Sequence, residues 1–339
     1  MTGGAAPGPT GHAPAPHEVG LLTFGESMVS LRSAGPLANG GVLNMQVAGA
    51  ESNVAIGVAR LGHTAAWAGV VGADPHGEFI LKQLRGEGVQ LHHSVDPERS
   101  TGVMFLEQRT ADLSRAFYYR AGSAGSTISR AQVSAALDGG ARILHLTGIT
   151  PALSPEARDV VEYAAKRAAA DGVMVSLDVN YRSKLWSRDQ ARAVLGPLAR
   201  HAAIVIASDD ELDLVAPPED GSGAAAPTEA ESHAAACLLD LGVSEVVVKR
   251  GAAGAAVHTA EGLLETPAIA VTAVDTVGAG DAFTAGYLSA LLDGGDVAAR
   301  LHRGILAGAF AVSTRGDWEG LPRRGELALL DAALGSTQR

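Results

Sequence analysis

Apolar positions along the chain follow two alternating rhythms. Short runs over 19–24, 65–71, 143–146, 173–179, 203–207, 245–249 and 255–259 read as strands, with 173–179 apolar on both sides apart from Asp178. Between several of them the apolar residues take helical spacing. Val54, Ile56, Val58, Ala59 and Leu61 predict a helix stopped by Gly62, and 74–88 predicts another closed by Gly-Glu-Gly. Ser154-Pro155 caps a helix that puts Ala157, Val160, Val161, Ala164, Ala165 and Ala168 on one face. Further helices are predicted over 187–201 and 232–241, from the 278–281 turn to about 292, and over 297–314. Strands alternating with helices imply an α/β fold: a central, mainly parallel sheet with helices on both faces. Its ligands bind beyond the carboxyl ends of the strands.

Two regions keep a different pattern. Residues 27–48 are punctuated by glycine, with short alternating pieces at 28–31 and 42–47, and 101–109 and 115–120 alternate again. Together they predict a second, small β-sheet lid built from about 27–48 and 100–121, within one domain spanning 19–335. Residues 1–18 are rich in Gly, Ala and Pro, with no basic n-region and no apolar h-region. They read as a disordered tail rather than a signal peptide. Residues 216–231 lack periodicity and read as a solvent loop.

Composition narrows the partners. With 339 residues, 47% of them apolar, the chain can bury a large core. A net charge of −11, from 26 basic and 37 acidic residues, argues against nucleic acid or an anionic membrane and for a small molecule. The single cysteine, Cys237, excludes an internal disulfide and any multi-cysteine metal site; no Asn-x-Ser/Thr acceptor occurs, and no apolar run reaches membrane-spanning length. These features fit a soluble cytoplasmic protein.

The chemistry concentrates in Asp275-Thr276-Val277-Gly278-Ala279-Gly280-Asp281, which runs into an apolar helical pattern. A glycine turn into a helix N-terminus aims unpaired N–H groups and the positive end of the helix dipole at one point, where an anion can sit. An aspartate there would repel the anion unless it has a task, such as taking the proton of a hydroxyl that attacks a phosphoryl group. Three other polar groups fall at predicted strand ends: Asp178-Val179-Asn180-Tyr181-Arg182, Ser208-Asp209-Asp210-Glu211 and Lys249-Arg250-Gly251. Taken singly each has an ordinary reading: Asp210 and Glu211 as helix caps, Lys249 as a solvated strand end, Arg182 as the partner of Asp178. Taken together they supply carboxylates for a divalent cation, cations for phosphates and a base, the set phosphoryl transfer needs. Glu51, Ser52 and Asn53, at the start of the 54–61 helix, read on their own as ordinary capping residues. His145 reads as a core histidine, Trp67 and Trp186 as core or rim, and Cys237 as inert. Walker, G-x-G-x-x-G and H-E-x-x-H motifs are absent.

The segment 275–287, together with the glycine-containing stretch 49–62, resembles the signatures of the ribokinase-like (PfkB) carbohydrate kinases, and the resemblance extends from about 19 to 322. Within that family the chain is most similar to kinases of 2-keto-3-deoxygluconate. This narrower resemblance rests on 49–53, 117–124, 145–154, 176–182 with Leu185-Trp186, and 315–320. It implies a Rossmann-like domain with a small β lid, ATP and Mg²⁺ with K⁺ left open, and transfer of a phosphoryl group to the sugar's 6-hydroxyl. Carried over by residue, Asp281 is the catalytic base and the N–H groups of Gly278, Ala279 and Gly280 form the anion hole. Gly49, Asn53, Tyr118, Arg120, Ile149 and Arg182 meet the sugar. Ser208, Lys249 and Gly251 join Gly278 and Gly280 at the nucleotide, and Glu211 serves Mg²⁺. Ser208 replaces a frequent asparagine, Met104 a frequent tyrosine, and Ala48 the first glycine of a frequent pair. Arg120 and Arg182 also suit a sugar carboxylate on physical grounds. The alternatives are a kinase for another sugar or sugar acid, fructose included, and a catalytically idle sugar sensor. Unpaired lid edges suggest a homo-oligomer formed through the lid.

Overall fold

The computed structural model describes residues 19–110, 113–216 and 227–331, so the expected tail and residues 217–226 of the expected loop lie outside the described residues. The chain begins β1 (Val19–Phe24), β2 (Met28–Ser33), β3 (Leu43–Ala48), α1 (Ala50–Arg60), β4 (Ala65–Gly72), α2 (Pro75–Gly86) and β5 (Gln90–Asp96). It continues with β6 (Val103–Thr110), β7 (Leu113–Tyr119), α3 (Arg130–Asp138), β8 (Ala141–Thr147), α4 (Pro155–Ala170), β9 (Met174–Asp178), α5 (Arg188–Ala199) and β10 (Ile204–Ser208). The last part holds α6 (Pro227–Asp240), β11 (Glu245–Lys249), β12 (Ala255–Thr259), β13 (Gly262–Thr266), α7 (Ala279–Leu292), α8 (Val297–Val312) and α9 (Ala328–Asp331).

The large sheet has nine strands in the order β13-β12-β11-β10-β9-β8-β1-β4-β5. From β11 to β5 every pairing is parallel. The strand pattern reflects burial on both faces: Val246 and Val248 pack into one core layer with α4, α5 and α6, while Val247 packs into the other with α1, α7 and α8. Helix α7 is buried along most of its length, between α1 and α8. A helix apolar all round belongs in such a place, and it gives the Gly278–Asp281 turn a rigid base.

The sheet departs from the expected parallel alternation at one edge, where β12 and β13 run antiparallel. The connection 250–254 is too short for a crossover helix, so the chain can only double back. Four elements escaped the hydrophobic pattern, the four-residue α9 among them. β5 is an edge strand mixing His92, His93 and Ser94 with its apolar residues, α3 buries only Val133, Ala136 and Leu137, and β13 is largely exposed. Helix α6 starts at Pro227, earlier than the expected 232, because its first turn is polar and carries no apolar signal.

The small sheet has the order β3-β2-β6-β7. Two antiparallel pairs, β2–β3 and β6–β7, meet along a parallel β2–β6 seam. One face of this sheet, with Arg32, Asn44, Gln46 and Leu106, lines a cavity of about 750 Å³ against the 273–277 segment. Met28, Ala48 and Met104 form a small buried cluster of their own, so the two departures at 48 and 104 pack together.

His145, Trp67 and Trp186 lie in the core, as the sequence reading has them. His145 is fully buried with Nδ1 3.2 Å from Ser176 Oγ, and burial pushes its pKa down to about 3, leaving it neutral. Trp67 and Trp186 are buried. Cys237 is a half-buried free thiol on α6.

Candidate active site

The carboxyl ends of β9, β10 and β11 open on a cleft of about 960 Å³. Tyr118, Arg182, Ser208, Glu211, Lys249, Gly251 and the whole Gly278–Asp281 turn line it. Ten of the residues singled out from sequence therefore meet in one place.

Gly278 is the N-cap of α7, with φ +75°, and a Cβ there would lie 1.9 Å from the Asp317 carbonyl. No other residue fits that turn. The turn points the first N–H groups of α7 into the cleft, where the helix leaves them without intrahelical acceptors. Ala279 N–H makes a long contact, 3.4 Å, to the Thr276 carbonyl.

Asp281 is buried at the foot of this turn. Asn53 Nδ2 donates to its Oδ2 at 2.8 Å and Asn180 Nδ2 approaches its Oδ1 at 3.4 Å. Its pKa is pushed up to about 6, chiefly by burial and further by the nearby Asp178 charge. The Asn53 hydrogen bond and the charges of Arg182 and Lys249 oppose this without cancelling it. A carboxylate that titrates near neutrality, in a cleft and beside a helix N-terminus, has the properties of a general base.

The expected capping role of Glu51, Ser52 and Asn53 is not what the structure shows, because α1 has no side-chain cap. Its N-cap is Gly49, with φ +152°, where a Cβ would meet Ser52 Oγ at 2.7 Å and the Glu26 carbonyl at 2.8 Å. Glu51 turns inward instead, and its Oε1 accepts the Thr147 and Thr150 hydroxyls, both at 2.6 Å. These threonines flank Ile149, whose N–H donates to Thr147 Oγ1 at 3.1 Å. Asn53 is free for Asp281 because it does not cap.

Lys249 is not a solvated strand end. Its Nζ bridges both oxygens of the buried Asp178, at 2.7 and 3.0 Å, and Thr284 Oγ1 donates to the same carboxylate at 3.1 Å. Arg182 consequently does not pair with Asp178; it is exposed in the cleft and, among the described residues, donates to its neighbour, the Tyr181 carbonyl, at 3.0 Å. Glu211 precedes a short 3-10 turn, but its side chain does not cap it. Its carboxylate accepts the Tyr181 N–H at 2.7 Å, the Ser208 N–H at 2.9 Å and the Ser208 hydroxyl at 2.7 Å.

Arg120 stands apart from the expectation in one respect. It lies 5.8 Å over the Tyr118 ring, but its Nε donates to the buried Glu26 at 2.6 Å, so its charge is already matched. Ser123 Oγ donates to the same Glu26. Gly49, Asn53, Arg120 and Ile149 are not among the residues lining the cleft, and Asn53 meets it through Asp281.

The sequence reading gave several residues of the site no role of their own. Asn180 has φ +41°, a left-handed conformation uncommon outside glycine, which turns its amide toward Asp281. Its place two residues after Asp178 at a strand end was the available signal. The far end of the cleft is walled by Ile269, Val271, Ile305, Ala309 and Val312. Such residues carry no chemical signal, and only the fold gathers them.

One cleft thus joins an apolar slot, a pair of cations, an acceptor-rich carboxylate, a helix N-terminus and a base, the constellation of a phosphoryl-transfer enzyme acting on a hydroxyl. The pfkB family carbohydrate kinase model matches residues 21–324, and the chain belongs to that family. It is a carbohydrate kinase. It is 36% identical to a 2-dehydro-3-deoxygluconokinase of Bacillus subtilis over 91% of this chain and 94% of that protein. It is 32% identical to a 2-dehydro-3-deoxygalactonokinase of Haloferax volcanii over 88% of this chain and 92% of that one. A candidate ribokinase II from E. coli, solved in complex with ATP and Mg²⁺, superposes with a TM-score of 0.83 at 26% identity, covering 92% of this chain and 99% of that chain.

Proposed function

We propose that this kinase transfers the γ-phosphoryl group of ATP to the 6-hydroxyl of 2-keto-3-deoxygluconate. The observation that carries the reading is the buried Asp281 with its raised pKa, set where the α7 N-terminus, Lys249 and Arg182 converge. Asp281 takes the hydroxyl proton during an in-line displacement, and the turn N–H groups steady the charge on the transferred group. The base of the nucleotide fills the apolar slot, with Gly251 and Lys249 beside its phosphates. Mg²⁺ neutralises phosphate charge when bound. Glu211, an oxygen donor at the cleft floor, fits such a hard cation. Among the described residues no cluster of three or more His, Cys, Asp or Glu could hold a metal, so most of the ion's ligands would be phosphate and water.

The name of the Bacillus relative and the free cation at Arg182 both favour a sugar acid. With Arg120 neutralised by Glu26, Arg182 is the group that meets the sugar carboxylate, and Tyr118 lies alongside. Arg182→Ala is expected to raise KM for an acid sugar by roughly tenfold or more while changing that for a neutral analogue far less. Equal losses on both would refute the carboxylate contact. The substrate itself is tested by coupled ATP consumption on 2-keto-3-deoxygluconate, its C4 epimer, fructose, ribose and adenosine. The gluconate-derived acid is expected to give the highest kcat/KM, and the epimer is the competitor that the Haloferax relative brings in. A protein inactive on all five would point instead to an idle sensor.

The small sheet acts as a lid over the sugar, closing to exclude water. Its edge strands β3 and β7 are unpaired in the sheet, and Leu43, Met45 and Tyr119 are exposed on the face turned from the cleft. A second copy pairing there would cover both. Elution as a monomer at micromolar concentration would overturn that assembly.

A further inference from the structure

Asp275 opens the anion-binding turn. Its Oδ1 accepts the Val277 N–H at 3.1 Å and its Oδ2 the Gly316 N–H at 3.3 Å. Asp317 stands on the opposite side, with its carbonyl against Gly278 at the spot where a Cβ would collide. One guanidinium joins the two: Arg32 Nη1 is ion-paired with Asp275, and Nη2 donates to Asp317 Oδ1 at 2.9 Å. All three side chains are largely withdrawn from water, exposed by 13% for Arg32, 14% for Asp275 and 5% for Asp317. Burial pushes the Asp317 carboxyl up to about 7 against the pull of Arg32, with Glu319, Asp281 and Asp275 adding repulsion. Two low-dielectric carboxylates on facing loops would drive those loops apart without a cation between them. Arg32 arrives from β2 of the small sheet, 243 residues before Asp275, and lines the neighbouring cavity rather than the cleft.

We propose that Arg32 is a positioning residue for phosphoryl transfer: by neutralising Asp275 and Asp317 together it holds the Gly278–Gly280 turn in its anion-binding shape and ties that turn to the small sheet. The inference rests on the kinase reading above, and it concerns how the turn is held rather than what is bound. Arg32 does not line the cleft that holds Asp281, so its loss is expected to act through the shape of the turn, on the step in which charge must be met at a fixed point.

The test is Arg32→Gln, which keeps most of the reach and removes the charge. The expected result is a kcat lower by roughly 10- to 100-fold, with KM for sugar and for ATP changed by no more than about threefold. Amide exchange of the 275–281 segment should accelerate without a matching rise in the large-sheet core, a readout that needs no turnover. Adding Asp317→Asn to Arg32→Gln removes one of the two charges that need matching and should recover part of both losses. Unchanged kcat and unchanged exchange in Arg32→Gln would overturn the proposal. So would exchange raised evenly across the core, which marks a general loss of stability. If the wild type phosphorylates no sugar, the kinase reading fails, while the exchange comparison still decides whether Arg32 holds the turn.

Discussion

Asp281→Asn is expected to lower kcat by roughly 10²- to 10⁴-fold, leave sugar binding nearly intact, and make the protein more stable at pH 8. The last part follows from the acidity of the group. The carboxyl keeps its proton up to about pH 6 in the folded chain, against an ordinary value of 3.8. The folded state therefore binds the proton more tightly than the unfolded one. The penalty for the ionised side chain is absent below about pH 4, builds up between 4 and 6, and is complete above 6. It amounts to roughly 2 to 3 kcal/mol, which a neutral amide of the same shape would avoid. Thermal melts of wild type and variant at pH 8 and pH 4 check this: the variant should gain at pH 8 and show little difference at pH 4. A variant less stable than wild type at pH 8 would show that the buried charge is fully compensated. The same acidity predicts that wild-type kcat/KM falls about tenfold per pH unit below 6.

Lys249→Met should have the largest effect on stability. Among the described residues it leaves the Asp178 carboxylate, with a side chain 1% exposed, with the Thr284 hydroxyl as its remaining side-chain partner. Stranding a buried charge costs about 3 to 5 kcal/mol, or roughly 5 to 15 °C in Tm for a domain of this kind. Adding Asp178→Asn should recover much of that loss, because the uncompensated charge disappears with it. Removing Lys249 also removes a charge that favours ionised Asp281, so the acid limb of the pH profile should move upward. A Tm within about 2 °C of wild type would mean that solvent reaches Asp178 and replaces the lysine.

How much of this the sequence revealed depended on the kind of signal each part carries. Strands buried on both faces and helices with one apolar stripe announce themselves, and so did the Gly278–Asp281 turn, since few other tasks require two glycines and an aspartate at a helix start. What stayed hidden was pairing. Nothing in the letters says that Lys249 belongs to Asp178, that Glu26 claims Arg120, or that Arg32 reaches Asp275, because each partner lies far away in the chain and is brought close only by the sheet order. Glu51 misled for a related reason. An acidic residue in a first helical turn is ordinarily a capping aid, and only the packing of α1 against β8 turns it toward two threonines. The antiparallel edge was decided by the length of the 250–254 connection rather than by any property of β12 itself.

The β2–β6 seam of the small sheet has a kinetic consequence. Its two strands are separated in the chain by β3, α1, β4, α2 and β5, so they can zip together only after β1, β4 and β5 have taken their places. Contacts that close so long a loop form late, since the entropy of closure must be met before the pairing rewards it. The strands whose carboxyl ends open on the cleft, where the nucleotide is proposed to sit, are β9, β10 and β11; they are near neighbours in sequence and wait for nothing comparable. In refolding from urea, the molecule is therefore expected to regain ATP binding before it regains sugar binding. Simultaneous recovery of the two would show that the seam closes within the main folding step.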